Sequence, residues 1–150
     1  MWTIEAAPLD SPESEALLRA YFADIVERYY RRAVPAEHID AVVEEYRLEA
    51  LAEFLIARWD GRPVGCAGLC ANGTVTRVYV DPAYRRRGGG RLLLEGLEAS
   101  ARALGLEQLR LDTREDLVEA QALYRAAGWV EVEPFNDDEY ADRFFAKPLD

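Results

Sequence analysis

Val78-Tyr79-Val80-Asp81-Pro82-Ala83-Tyr84-Arg85-Arg86-Arg87-Gly88-Gly89-Gly90-Arg91-Leu92-Leu93-Leu94 reads as a β-strand, a turn, a basic glycine-rich loop and the opening of an amphipathic helix. That order makes an anion cradle. The N–H groups at a helix start have no intrahelical acceptor, and the helix dipole adds partial positive charge at the same place. Glycines let a phosphate come close to the backbone and supply the positive φ of a turn. Arg85, Arg86, Arg87 and Arg91 bring cationic side chains to it. The rest of the chain has the opposite sign, with 28 acidic against 18 basic residues and a net charge of −10. No Gly-Lys-Ser/Thr follows the loop, and its glycines are not spaced G-x-G-x-x-G, so neither the P-loop nor the dinucleotide pattern applies. A pyrophosphate without a magnesium ligand fits it better.

Periodicity extends outward from the cradle. Upstream, Trp2 to Ala6 reads as a strand, and Ser11-Pro12 opens a helix that ends at Tyr29-Tyr30-Arg31-Arg32. Pro35 opens a second helix, expected to run through about Leu51. Phe54–Trp59, Pro63–Cys70 and Thr74–Val80 read as a three-strand meander, with Asp60-Gly61 and Asn72-Gly73 as hairpin turns. The helix after the glycines places Leu93, Leu94, Leu97, Ala101 and Leu104 on one face, with a Glu98–Arg102 pair on the other, and Gly105 stops it. Glu107–Asp112 is a strand. Asp116 and Glu119 resemble a capping box for a helix through Ala127, and Trp129–Glu133 and Phe144–Lys147 are the last strands. The expected fold is α/β (α+β): a mixed, mostly antiparallel central sheet flanked by helices on both faces, with residues 1–150 as a single domain. A chain of this length buries about 68–70% of its unfolded surface and needs no disulfide or metal.

The bulk composition excludes several function classes. No apolar run reaches the roughly 18 residues of a membrane span, and Met1-Trp2-Thr3-Ile4-Glu5 lacks the features of a secretion signal. A cytoplasmic protein is expected. The negative charge argues against bulk nucleic-acid binding and favours a cationic co-substrate such as an amine. Cys66 and Cys70 fall in one expected strand, about 13 Å apart along it, beyond disulfide reach, and read as reduced core thiols. His38 is the single histidine, so a histidine-based metal site or catalytic triad is hard to build, and no metal is expected.

A second motif is Ala120-Gln121-Ala122-Leu123-Tyr124-Arg125-Ala126-Ala127-Gly128-Trp129. Ala120, Leu123 and Ala127 face a core at helical spacing, and Tyr124 flanks that face. A helical tyrosine is most often packed with its hydroxyl satisfied. With an ordinary pKa of about 10 it also stays protonated at neutral pH and can serve as a proton donor.

The two motifs together, in this order and separated by one helix and one strand, resemble the GCN5-related N-acetyltransferase (GNAT) superfamily. Arg85-x-x-Gly88-x-Gly90 is similar to its Arg/Gln-x-x-Gly-x-Gly/Ala signature, and Leu123-Tyr124…Gly128-Trp129 to its Leu-Tyr…Gly-aromatic signature. The resemblance implies an acetyl-CoA-dependent N-acetyltransferase acting on a primary amine of a small molecule or peptide. It implies that Arg85, Arg86, Arg87, Gly88, Gly89 and Gly90 hold the acetyl-CoA pyrophosphate through backbone N–H groups. Val78, Tyr79 and Val80 would pair with the pantetheine arm, and Tyr124 would protonate the CoA thiolate. It also implies that the strands around Val80 and Asp112 splay apart to form the substrate slot. The chain departs from the family in two places. Leu117 stands where many relatives carry a cofactor-contacting Asn, and Thr74 where many carry Glu, which leaves the general base open between Asp112, at the end of its strand, and a water chain to any of several acids. Tyr29, Tyr30, Arg31 and Arg32, with the acidic loop Asn136–Glu139, are expected to shape the acceptor pocket. A homodimer is compatible with the resemblance, though no residue argues for one. Two other readings remain open on the residues: a non-catalytic acyl-CoA sensor, and a nucleic-acid binder using the Arg/Gly stretch.

Overall fold

The chain is seen in a computed structural model that describes residues 1–46 and 50–150. In order, the elements are β1 (Trp2–Ala6), α1 (Pro12–Tyr30), α2 (Ala36–Tyr46), β2 (Glu53–Trp59), β3 (Arg62–Leu69), β4 (Val75–Val80), a 3₁₀ turn (Pro82–Tyr84), α3 (Gly89–Ala103), β5 (Gln108–Thr113), α4 (Val118–Ala126), β6 (Val130–Glu131) and β7 (Arg143–Pro148). β1-β2-β3-β4 is one antiparallel sheet and β5-β7-β6 a second. A parallel bridge between Thr74 and Arg110 joins them. This is the mixed, mostly antiparallel sheet arrangement that the sequence leads one to expect.

Strand alternation sorts side chains onto two helical layers. Leu55 and Ala57 of β2 join Leu93, Leu94, Leu97 and Ala101 of α3 in one buried cluster. Phe54 and Ile56 point the other way, to Leu17 and Tyr21 of α1. α1 starts where Ser11 Oγ accepts the Ser14 N–H at 3.1 Å and stops where Arg31 turns left-handed at φ 57°. A second aromatic knot, Tyr124, Trp129 and the fully buried Phe145, fixes α4 to the β5-β7-β6 sheet.

Several expectations are corrected. Leu104 is exposed, because α3 ends at Ala103 and Leu104 is only its cap. Glu98 is buried rather than on the solvent face. Its carboxylate meets Lys147 Nζ of β7 at 2.9 Å, with Arg102 at 3.9 Å. Asp116 and Glu119 form no capping box, because Arg114 grips Asp116 and Arg28 takes Glu119. α4 instead starts after Leu117, without a side-chain cap. β3 ends at Leu69, so Cys70 lies just beyond it; the two cysteines form no disulfide. The helix expected through Leu51 is described to Tyr46; residues 47–49 lie outside the described residues, and Leu51 is in irregular backbone.

Lys147 is the single lysine of the chain, and its ammonium also donates to the Ala127 carbonyl at 2.8 Å. It thus ties β7 to α3 and to the end of α4. Lys147→Ala leaves Glu98 buried and is expected to lower the unfolding free energy by about 2–4 kcal/mol in urea titrations, while Glu98→Leu/Lys147→Leu recovers most of that loss. Equal stability of Lys147→Ala and the parent chain contradicts this clamp.

Candidate active site

β4 and β5 meet at the Thr74–Arg110 bridge, supported by Arg110 N–H to Gly73 O at 3.0 Å, and then separate. The cause is local to β4. Arg77 has φ 56° within the strand, and the β3–β4 register slips across Cys66–Gly68. Such a bulge bends its strand and increases its twist. Buried Arg77 is held by the Phe22 ring and by a bond from its guanidinium to Tyr46 O at 3.1 Å. The opening is a cleft of about 1150 Å³ lined by β4, the glycine loop, α1, α4 and the Asp138–Tyr140 loop.

The cradle lies at one end. Backbone N–H groups from Arg86 to Arg91 make no backbone hydrogen bond among the described residues. Gly88 has φ 90°, and a Cβ there would meet nothing within 4 Å, so open space lies before the helix start. Gly89 is needed for a different reason: a Cβ would fall 2.5 Å from the Trp2 ring. Trp2 also donates its indole N–H to Arg87 O at 2.7 Å, which pins the loop from β1. The four arginines are not equivalent. Arg85 folds back, giving Nε to Val80 O at 2.7 Å and approaching Asp24 at 3.4 Å. Arg87 lies over the Trp59 and Tyr84 rings, and Arg91 pairs with Glu95. Arg86 has no ion pair or side-chain hydrogen bond among the described residues and lines the cleft.

The strand leading to the cradle offers a free edge. Asp81 N–H is given to Val64 O of β3 at 2.7 Å. Peptides alternate along a strand, so the Val80 N–H faces away from β3, into the cleft. Val78, Tyr79 and Val80 all line it.

Tyr124 and Asp112 both line the cleft. Tyr124 is 5% exposed and lines the cleft. Its hydroxyl has no hydrogen-bond partner among the described residues. Burial pushes its pKa well above the ordinary phenol value, with Tyr21, Asp112 and Glu119 adding to the shift. Asp112 is half-buried at the end of β5, and burial raises its pKa against the opposing effect of a 2.9 Å hydrogen bond from Asn136 Nδ2. Cys66 belongs to the other cluster, under α1, and burial pushes its thiol up to about 12.

Sequence reasoning missed the partners that hold these groups. Asp24 and Arg28 of α1, Arg85 of the loop and Glu119 of α4 form one ion network across the cleft wall, with Arg28 Nη2 bonded to Glu119 at 2.8 Å and Arg85 3.8 Å from Glu119. No local pattern signals pairs 61 to 91 residues apart. At the far end, Tyr29, Tyr30 and Asp138 line the cleft as expected, joined by His38 and Tyr140. Arg31 is spent as the α1 cap and Arg32 lies over the Tyr30 ring.

Three comparisons bear on this geometry. A family profile described as "Acetyltransferase (GNAT) family" matches residues 19–129. The IAA acetyltransferase of Azospirillum brasilense is 32% identical over 147 residues, covering 93% of this chain and 95% of that protein. An aminoglycoside N(6′)-acetyltransferase type 1 of Stenotrophomonas maltophilia is 35% identical over 94 residues, 55% of this chain and 61% of that one. Among solved structures, the PaiA N-acetyltransferase of Thermoplasma acidophilum, in complex with coenzyme A, has the same fold with a TM-score of 0.73, 18% identity and 99% coverage of both chains.

Carboxyl-carbon NMR titration checks the environment of Asp112. Its pKa is expected above the ordinary value of 3.8. Asn136→Ala removes a donor that favours the ionised form, so it should move the pKa further up. A wild-type value at or below the ordinary one, or a fall in the variant, contradicts the arrangement.

Proposed function

The chain belongs to the GNAT acetyltransferase family, and on that premise we propose that it transfers an acetyl group directly from acetyl-CoA to a primary amine of a small molecule or peptide. One observation carries the reading: a single cleft runs from an amide-rich helix start, past a free strand edge, to a buried tyrosine whose hydroxyl has no hydrogen-bond partner among the described residues and a half-buried carboxylate. The coenzyme A complex of PaiA supports the donor. The aminoglycoside named for one relative, an amine, supports the acceptor.

Each group has a task suited to its surroundings. The unpaired amides from Arg86 to Arg91, with the Arg86 guanidinium, would hold the diphosphate. Val78, Tyr79 and Val80 would receive the pantetheine arm as an added strand. The Val80 N–H would polarise the thioester carbonyl, where one well-placed donor is worth about 3–4 kcal/mol. Arg85 holds the Val80 carbonyl, which belongs to the next peptide along, and so steadies the end of the strand. Asp112, its basicity raised by burial, would take the proton of the attacking ammonium group. Tyr124 would return a proton to the departing thiolate. The burial that keeps the phenol protonated also disfavours a bare thiolate, which becomes basic enough to accept it. Direct transfer agrees with the position of Cys66, held protonated in the core and not among the residues that line the cleft. The chain supplies position and preorganised charge.

Thiol release over an amine panel tests the assignment. Tyr124→Phe should lower kcat by about 10²–10³-fold and leave the KM for acetyl-CoA within a few-fold. Asp112→Asn should remove the acidic limb of the pH–rate profile. Full turnover by Tyr124→Phe contradicts the proton-donor role; binding of acetyl-CoA without thiol release for any amine contradicts the transfer.

A further inference from the structure

We propose that Trp2 is a positioning residue for the cofactor, aiming the Gly88 N–H at the diphosphate of acetyl-CoA from outside the cleft; the inference rests on the acetyl-transfer reading above. Trp2 is not among the residues that line the cleft, whereas Gly88 is. The indole therefore acts through the loop. Its N–H donates to Arg87 O at 2.7 Å, across 85 residues of sequence. That oxygen and the Gly88 N–H belong to one peptide unit. No peptide bond among the described residues is cis, and a planar trans peptide points its C=O and N–H in opposite directions. Fixing the oxygen on Trp2 turns the Gly88 N–H away from Trp2. The Gly88 N–H has no hydrogen-bond acceptor among the described residues. The same bond keeps the partial negative charge of the carbonyl on the side opposite to the donor.

This loop needs a hold from elsewhere in the fold. Arg86 at φ 64° and Gly88 at φ 90° are left-handed, and Arg87 between them is not. Such alternation turns successive N–H groups to one side and makes a concavity for an anion. A left-handed arginine persists only where its surroundings impose it. Arg87 is held at both ends. Trp2 takes its carbonyl, and its guanidinium lies 5.4 Å from each of the Trp59 and Tyr84 ring centroids. Trp2 and Trp59 are themselves register partners of β1 and β2, packed edge to face at 5.1 Å. The anchor is thus part of a sheet, which is stiffer than the loop it holds.

The fit is equally close on the helix side. A Cβ on Gly89 would lie 2.5, 2.6 and 2.9 Å from Cη2, Cζ2 and Cζ3 of Trp2. About two turns further along α3, a Cβ on Gly96 would lie 2.8 Å from Leu55 of β2 and 3.4 Å from Ile4 of β1. Both glycines let α3 rest directly on β1 and β2, and contact with the indole sets the height of the helix start. Trp2 and Gly89 are a matched pair: the ring occupies the place where a side chain at 89 would begin. Through its N–H the indole orients the peptide before the helix, and through its ring edge it seats the first residue of the helix.

Calorimetric titration of the intact chain with coenzyme A and with pantetheine, which lacks the diphosphate, tests this role. Trp2→Phe keeps an aromatic ring and removes the N–H. Its affinity for coenzyme A should fall about tenfold while that for pantetheine stays within about twofold. In thiol-release assays its KM for acetyl-CoA should rise about tenfold with kcat within about twofold of the parent. Gly89→Ala gives a second reading, because a Phe ring stops short of the indole atoms that Gly89 meets. It should weaken coenzyme A about tenfold in the parent chain and less than about twofold in Trp2→Phe. An undiminished preference of Trp2→Phe for coenzyme A, equal losses for the two ligands, or the same loss from Gly89→Ala in both backgrounds overturns the role of Trp2 and leaves acetyl transfer standing. A parent chain without affinity for coenzyme A overturns both readings.

Discussion

β4 cannot lie alongside β5 for its full length, and the rest of the molecule is arranged around that. The strands bridge once, at Thr74–Arg110, before the left-handed backbone of Arg77 turns β4 away. Separation leaves main-chain groups unpaired, a state that costs free energy unless water or a ligand satisfies them. Arg77 makes the break permanent by burying its guanidinium between Phe22 and the end of α2. The same bulge turns a liability of sheets, an exposed edge, into a docking surface.

The cleft is held at its rim by interactions from distant parts of the chain. Trp2 of β1 seats the glycine loop, and the Asp24–Arg28–Glu119–Arg85 network joins α1 to α4 and the loop. Arg28 holds the Glu119 carboxyl below its usual range, so Glu119 keeps its charge further into acid. The network sets Arg85 where its Nε donates to the Val80 carbonyl. Division of labour among the loop arginines follows: some shape the cradle, and Arg86 alone among them faces the cleft without a side-chain partner among the described residues.

The sequence discloses much of this, and the physical reason differs by element. The glycine loop and the helix that follows are legible because positive φ, close approach and amphipathic spacing are local demands. Tyr124 is legible as a helical position, but its burial depends on Phe145, 21 residues later in the chain. Glu98 reads as a surface residue because only the fold brings Lys147 to it. The capping box at Asp116 and Glu119 fails because Arg114 takes the Asp116 carboxylate and Arg28, remote in sequence, takes that of Glu119. Asp112 is recognisable as a strand-end acid, whereas its link through Asn136 to Asp138 and Tyr140 emerges only from the folded loop.

The account rests on the unpaired amides at the start of α3 as the site that holds a diphosphate. Calorimetric titration with coenzyme A and with pantetheine, which lacks the diphosphate, addresses this directly. Coenzyme A should bind about 10²-fold more tightly than pantetheine, and Gly88→Asp, which places a carboxylate in the open space before the helix, should abolish the difference. Equal affinities of the parent chain for the two ligands, or a preference for coenzyme A that survives Gly88→Asp, would contradict it.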